Sequence, residues 1–241
     1  MDRGQRSFSR AQTIIPRVVV RTQDREKVMS QAKEEILRRV RQALDQPRGA
    51  PETEYEAIAH KYIEAGTMDL TDRVTLFVDR LQDYGAVVYR CSVKAISQTV
   101  GQAMEARGKQ ALIVPKGVRE TWLPEGCLFI PDDDLSYDAL DRSEGVLTGC
   151  ALAIASTGTI VLGHSPAEGR RALSLVPDYH LCVVYEDQIV ETVPEGIRGM
   201  QGFQSAPVTT ISGPSATSDI EMTRIKGVHG PRILDIILAA T

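Results

Sequence analysis

Between Leu70 and Val114 the apolar residues switch period repeatedly, and few folds accommodate that pattern. Leu70, Val74, Phe77, Val78 and Leu81 recur at helical spacing and stop at Gly85, after which Ala86 to Tyr89 is a short run of strand length. Ser92 stands where a cap would open a helix carrying Ile96, Val100, Ala103 and Met104. That helix ends near Gly108 and leads into a strand over Ala111 to Val114. A further short helix is expected after Pro115, then a strand over Cys127 to Ile130, then a helix opened by the Asp132 to Asp134 run, whose negative charge suits a helix amino end. Strand and helix in alternation predict an α/β fold on a mostly parallel sheet covered on both faces.

The second half reads differently. Ala151 to Ala155 and Thr159 to Leu162 flank the bend Ser156-Thr157-Gly158 and predict a strand pair. Leu181 to Tyr185 and Ile189 to Val193 predict a second hairpin across Glu186, Asp187 and Gln188. Val208 to Ile211 and Ile233 to Leu238 supply two more strands, separated by the Gly213-Pro214 turn and a helix over 218–225. At the other end, residues 1–28 show no helical stripe and read as a flexible extension. Met29, a plausible translation start, opens a helix over 29–47 carrying Ile36, Leu37, Val40, Ala43 and Leu44 and closed by Pro47, Gly49 and Pro51. Residues 29–241 are expected to form one domain, a size that supports a single sizeable core.

Several function classes fall away on charge and composition. Residues 1–50 hold 12 Lys and Arg against 6 Asp and Glu, a balance of +6, leaving the remainder at −10 within a total of −4. An acidic body does not neutralise phosphates, so nucleic acid is not an expected partner. No apolar run approaches the ~18–20 residues that cross a bilayer. The amino terminus lacks a secretory apolar core, and Cys91, Cys127, Cys150 and Cys182 are too scattered for a disulfide framework, which fits the cytoplasm. No two of them form a C-x-x-C ligand pair, and the histidines lack metal-ligand spacing, so neither a cluster nor a metal is expected on this chain. Serine-hydrolase, P-loop and dinucleotide signatures are missing too.

Two stretches can carry chemistry. Thr210 to Glu221 leaves a strand, turns at Gly213-Pro214 and enters a predicted helix whose first turn is dense in hydroxyls and carboxylates, with Ser212, Gly213, Ser215, Asp219 and Glu221 the candidate contacts. Free backbone amides at the start of that helix suit a small anion, and in open α/β sheets ligands sit at the carboxyl ends of strands. Ser218 and Glu221 equally satisfy the S-x-x-E capping box, which would only close a helix end. The second stretch is the bend Thr157, Gly158 and Thr159, followed by Arg170 and Arg171, where amides, hydroxyls and a guanidinium can grip a carboxylate; a plain hairpin with solvated arginines is the alternative. His229, in Gly227-Val228-His229-Gly230-Pro231, and His180 complete the candidate set.

Four ordered motifs carry a resemblance. They are Leu147-Thr148-Gly149-Cys150 through Ser156-Thr157-Gly158-Thr159-Ile160-Val161-Leu162, Gly169-Arg170-Arg171 with Leu173 to Pro177 and His180, Ser212-Gly213-Pro214-Ser215 with Asp219-Ile220-Glu221, and Gly227 to Pro231. From about Met29 onward the chain resembles the lactate-utilization protein C family of LUD-domain proteins. The resemblance implies a three-layer sheet of NagB/RpiA/CoA-transferase-like type and a role in bacterial growth on L-lactate. It further implies partners, namely Fe-S oxidoreductase subunits that bear the clusters while this chain binds none, and a small carboxylate ligand. Two positions depart from the family pattern, Ser156 where an acidic residue usually precedes Thr-Gly-Thr and Ser218 where Ala is more frequent, so no catalytic base is assigned. Readings from other classes are a stand-alone enzyme of the same fold group, acting on a phosphorylated sugar, CoA ester or folate, and a non-catalytic ligand-sensing or assembly protein.

Overall fold

A computed structural model describes residues 22–44, 57–58, 62–203, 207–218, 224–226 and 230–240. The chain divides into two compact units, 1–61 and 62–241. In the first, helix Thr22–Leu44 (α1) begins ahead of Met29 and leaves Ile36, Val40 and Leu44 exposed. Glu35 on this helix accepts from Arg38 and Arg39, the one-turn ion pairing that solvated helices use.

The second unit opens with helix Leu70–Asp83 (α2), capped by Asp69, whose side chain accepts from the Asp72 amide at 2.9 Å. Strand Val87–Ser92 (β1), helix Ile96–Ala106 (α3), strand Ala111–Val114 (β2), strand Leu128–Pro131 (β3) and the short helix Tyr137–Asp141 (α4) follow. Next come strands Val146–Thr148 (β4), Leu152–Ile154 (β5), Thr159–Leu162 (β6), Tyr179–Tyr185 (β7) and Ile189–Val190 (β8), then helix Val193–Met200 (α5). Strands Thr209–Ile211 (β9), Ala216–Ser218 (β10), Arg224–Lys226 (β11) and Ile233–Ala240 (β12) complete the described elements.

The expected parallel sheet is present, with six strands in the order β1-β12-β7-β4-β2-β3, every neighbouring pair parallel. Its two faces are buried differently. Ile96, Val100, Ala103 and Met104 of α3 cover one face together with Trp122. The other face packs against Val74, Phe77 and Leu81 of α2 and against Ala153, Ile160 and Leu162 of a second sheet. That sheet runs β8-β5-β6-β9, with β5 and β6 joined as the antiparallel hairpin that the bend at Ser156-Thr157-Gly158 predicts. Gly158 takes φ 58°, and a Cβ there would stand 2.8 Å from Arg80 Cβ, so the bend seats directly on α2.

Three expectations are corrected. Tyr179–Tyr185 and Ile189–Val190 are not a hairpin: β7 lies inside the six-stranded sheet, whereas β8 pairs in parallel with β5 in the other. Residues 189–193 therefore hold only two strand residues before α5 begins, because Thr192 and Glu195 form a reciprocal capping box with Pro194 in the first turn. The helix over 218–225 is also replaced, since Ala216–Ser218 pairs antiparallel with Arg224–Lys226. β-branched residues at 217 and 225 favour that pairing over a helix. Last, the turn after Pro115 is a single 3-10 turn at Glu120–Trp122 rather than a helix. Among the described residues no helix is long and apolar enough to cross a membrane.

Candidate functional site

Antiparallel pairing of β6 with β9 sets Ile160 opposite Ile211, which brings Thr159 opposite Ser212. Their hydroxyl oxygens lie 2.7 Å apart, and Thr157 Oγ1 is 2.7 Å from Thr159 Oγ1, so the hairpin bend and the turn after β9 share one chain of hydroxyls. Beyond Ser212 the backbone turns at Gly213, with φ 87°, and the Ser215 amide donates to the Pro231 carbonyl at 2.8 Å. This turn overhangs a cavity of about 300 Å³ whose wall includes Ser174, His180, Thr209, Ser212, Ser215 and Leu234. No Lys, Arg, Asp or Glu stands among its described lining residues, which are rich in hydroxyls.

The cavity lies away from the edge where sequence placed it. His180 and Leu234 are the second residues of β7 and β12, so the space abuts the amino ends of these parallel strands, not their carboxyl ends. The reason is the second sheet, whose β9 turn descends onto that end of the first.

His180 is completely buried. Val146 pairs with it across β4, and Thr148, two residues on and therefore on the same face, sets its Oγ1 2.8 Å from His180 Nε2. Thr148 also donates to the Gly149 carbonyl at 2.9 Å, as does the Cys182 thiol at 3.5 Å. Cys150, buried beside Cys182, donates to Gln188 Oε1 at 3.5 Å, and its thiol is pushed well up by the neighbouring Cys182 and by burial. Burial works against a Cys182 thiolate, while the neighbouring Cys150, His180 and Thr148 favour it and bring the thiol below its ordinary value. His180 Nδ1 has no hydrogen-bond partner among the described residues.

A second cavity, of about 460 Å³, does occupy the carboxyl ends of β2 and β3, lined by Lys116, Asp132, Asp134, His164 and Arg170 among others. Here Arg170 is engaged: its Nε and Nη2 donate to the two Asp132 oxygens at 2.7 and 3.0 Å, holding that carboxyl below the usual carboxylate range. Lys116 Nζ donates to Asp133 at 2.6 Å. His164 Nδ1 lies 2.8 Å from the Gly169 carbonyl, which can only accept, so Nδ1 carries the proton and Nε2 accepts from the Thr209 hydroxyl at 2.8 Å. Thr209 lines the first cavity and His164 the second, so this bond is part of the partition between them. His164 and Asp134 hold φ of 55° and 56°, a conformation that side chains beyond glycine adopt at a cost.

The candidates thus separate. His180, Ser212, Gly213 and Ser215 gather at the first cavity, with Thr157 and Thr159 behind it through the hydroxyl chain. Arg170 belongs to the second cavity, and Arg171 is exposed, its carbonyl accepting from Ser174 at 3.2 Å. Ser156, exposed, donates its amide to the Glu191 carbonyl at 3.0 Å. Asp219, Glu221 and His229 lie outside the described residues. Sequence reasoning passed over Thr148 and Cys182 as site residues; β4 is only three residues long, too short to show a period, although Thr148 sits inside the first motif quoted above.

Known proteins place this architecture. The LUD domain model matches residues 133–239. A Deinococcus radiodurans protein described as lactate utilization protein C is 47% identical over 165 residues, 67% of this chain and 77% of that protein. The Escherichia coli K12 protein YkgG is 27% identical over 219 residues, 82% of this chain and 93% of its own length. The crystal structure of a DUF162 family protein from Deinococcus radiodurans aligns with a TM-score of 0.63 at 40% identity, covering 72% of this chain and 99% of that one. Motif order, sheet topology and this degree of identity agree that the chain belongs to the lactate utilization protein C family of LUD-domain proteins.

Proposed function

We propose that this chain is the cluster-free subunit of a cytoplasmic, Fe-S-dependent system that oxidises L-lactate to pyruvate, and that it holds the hydroxy acid in the hydroxyl-rich cavity beneath the β9 turn. The observation that carries the reading is that cavity, found in a chain 47% identical to a lactate utilization protein C. Lactate offers a methyl, a hydroxyl and a carboxylate. The walls offer Leu175, Ile211 and Leu234 for the first, and hydroxyls of Ser174, Thr209 and Ser212 for the polar groups. Phosphorylated sugars and CoA esters are less well served, because no cation stands among the described lining residues.

Oxidation to pyruvate removes two electrons and two protons, and the electrons need an acceptor. The cysteines do not fit a four-thiolate cluster. Cys91 lies on β1 and Cys127 next to β3, the opposite edges of the six-stranded sheet, while Cys150 and Cys182 are buried between the sheets. The reading therefore assigns acceptor and clusters to partner Fe-S oxidoreductase subunits.

Purification of the tagged chain from its native host grown on L-lactate is expected to bring down cysteine-rich partners, and calorimetry is expected to show L-lactate binding at one site per chain. Recovery of no such partner together with no lactate heat would remove the reading. Turnover of a sugar phosphate, CoA ester or folate by the chain alone would replace it with the stand-alone enzyme.

A further inference from the structure

The orientation of the buried His180 ring says what kind of group the cavity is built to receive. Thr148 has one hydroxyl proton, and it goes to the Gly149 carbonyl at 2.9 Å, an atom that can only accept. Thr148 therefore turns a lone pair toward His180, and Nε2 donates to it across 2.8 Å. A neutral imidazole carries one proton, so Nδ1 is left as a bare acceptor. The opposite assignment would leave a buried N–H without an acceptor, the rarer kind of orphan. His180 is wholly buried, Nδ1 has no partner among the described residues, and the residue forms part of the cavity wall.

We infer that His180 Nδ1 is the acceptor for the α-hydroxyl of the bound hydroxy acid, making His180 the residue that separates hydroxy acids from plain carboxylates. The inference rests on the proposed function for the identity of the ligand and goes beyond it in assigning the hydroxyl's partner. A carboxylate or carbonyl facing Nδ1 would set acceptor against acceptor, whereas a hydroxyl donates into it. The carboxylate of the same ligand is left to the hydroxyls of the opposite wall, Ser212 and Thr209. Thr148 is a positioning residue in this arrangement, since it touches the ring and not the ligand. Ketone products lack the donor, so the same contact favours release of an α-keto acid over retention.

Two measurements on the full-length chain test this. Nitrogen-15 NMR of the histidine rings reports which ring nitrogen carries hydrogen; the expected result is a neutral His180 protonated at Nε2, and a proton on Nδ1 in the free protein overturns the inference. Calorimetric titration then compares L-lactate with propionate, which has the carboxylate but no hydroxyl. Lactate is expected to bind about tenfold tighter, the worth of one hydrogen bond. His180→Phe is expected to erase that preference, and His180→Asn, which keeps a polar atom near the Nδ1 position, to retain part of it. Equal binding of both acids by the wild type overturns the inference and leaves carboxylate binding standing. Binding of neither takes away the lactate site of the proposed function, whose partner arm is tested separately, and overturns the inference with it. Should His180→Phe fail to fold, the wild-type comparison and the ring protonation still decide.

Discussion

Arg107, just past the end of α3, reaches Asp235 on β12 with both edges of its guanidinium, Nε to Oδ2 at 2.8 Å and Nη2 to Oδ1 at 2.6 Å. Asp235 is fully buried and accepts a third bond from the Tyr179 hydroxyl at 3.1 Å. The pair fastens a surface helix to a central strand. Arg107→Ala would strand a carboxylate in the interior, a change that costs about 3–5 kcal/mol in fully buried pairs; with Arg107 29% exposed, the lower end is expected. Urea unfolding measures it, and a loss under about 1 kcal/mol would mean that water reaches Asp235 in the native fold.

Acid sensitivity is expected from the second cavity. Arg170 holds the Asp132 carboxyl below the unfolded value of about 3.9, so the folded protein binds fewer protons there. The resulting stabilisation is complete above about pH 4 and disappears as pH falls through the depressed value. Arg170→Met should lower the melting temperature at pH 7, by a loss of ~1–3 kcal/mol, and narrow the difference from wild type toward pH 3. Melting curves at several pH values check it; a constant gap down to pH 3 would contradict the assignment.

The contrast between the two capping boxes shows what could be read in advance. Ser218 and Glu221 have the spacing, yet Ser218 lies in β10. Thr192 and Glu195 have the same spacing and do form the box, with the Glu195 side chain accepting from the Thr192 amide at 2.8 Å. Four-residue signatures need the period of the following residues to support them, and the strand preference of β-branched Thr217 and Ile225 outweighs the box spacing here. The strands β2 and β6 were legible to the residue because turn residues bracket them. The partnering of β7 and β8 was not, because pairing across sheets depends on contacts between residues far apart in sequence. For the same reason the hydroxyl turns were found from composition, while Thr148 and the engagement of Arg170 by Asp132 needed coordinates.

Thr148→Val keeps the volume of the side chain and deletes the group that orients the His180 ring. L-lactate affinity is expected to fall severalfold, with ring protonation redistributed between Nδ1 and Nε2 and stability reduced by ~1–3 kcal/mol. Unchanged ring protonation in the NMR spectrum would show that Thr148 does not set it.

Gly213 turns at φ 87°, and a Cβ there would stand 2.5 Å from Tyr84 Cβ. Gly213→Ala is therefore expected to displace the turn that carries Ser212 and Ser215 and to abolish measurable L-lactate binding, at a cost of about 1–3 kcal/mol in stability. Retained binding at wild-type affinity would mean that the turn is not part of the pocket wall.

The place of β12 in the sheet bears on how the molecule is assembled. It lies between β1 and β7 yet follows every other described strand along the chain. During synthesis β1 lacks its β12 neighbour until residues 233–240 have emerged, and the floor of the cavity at Leu234 arrives with that same segment. Pairing over such separations closes slowly, so a nascent chain carries an open seam of unsatisfied backbone between β1 and β7 until β12 arrives, a stage exposed to aggregation and to chaperone capture.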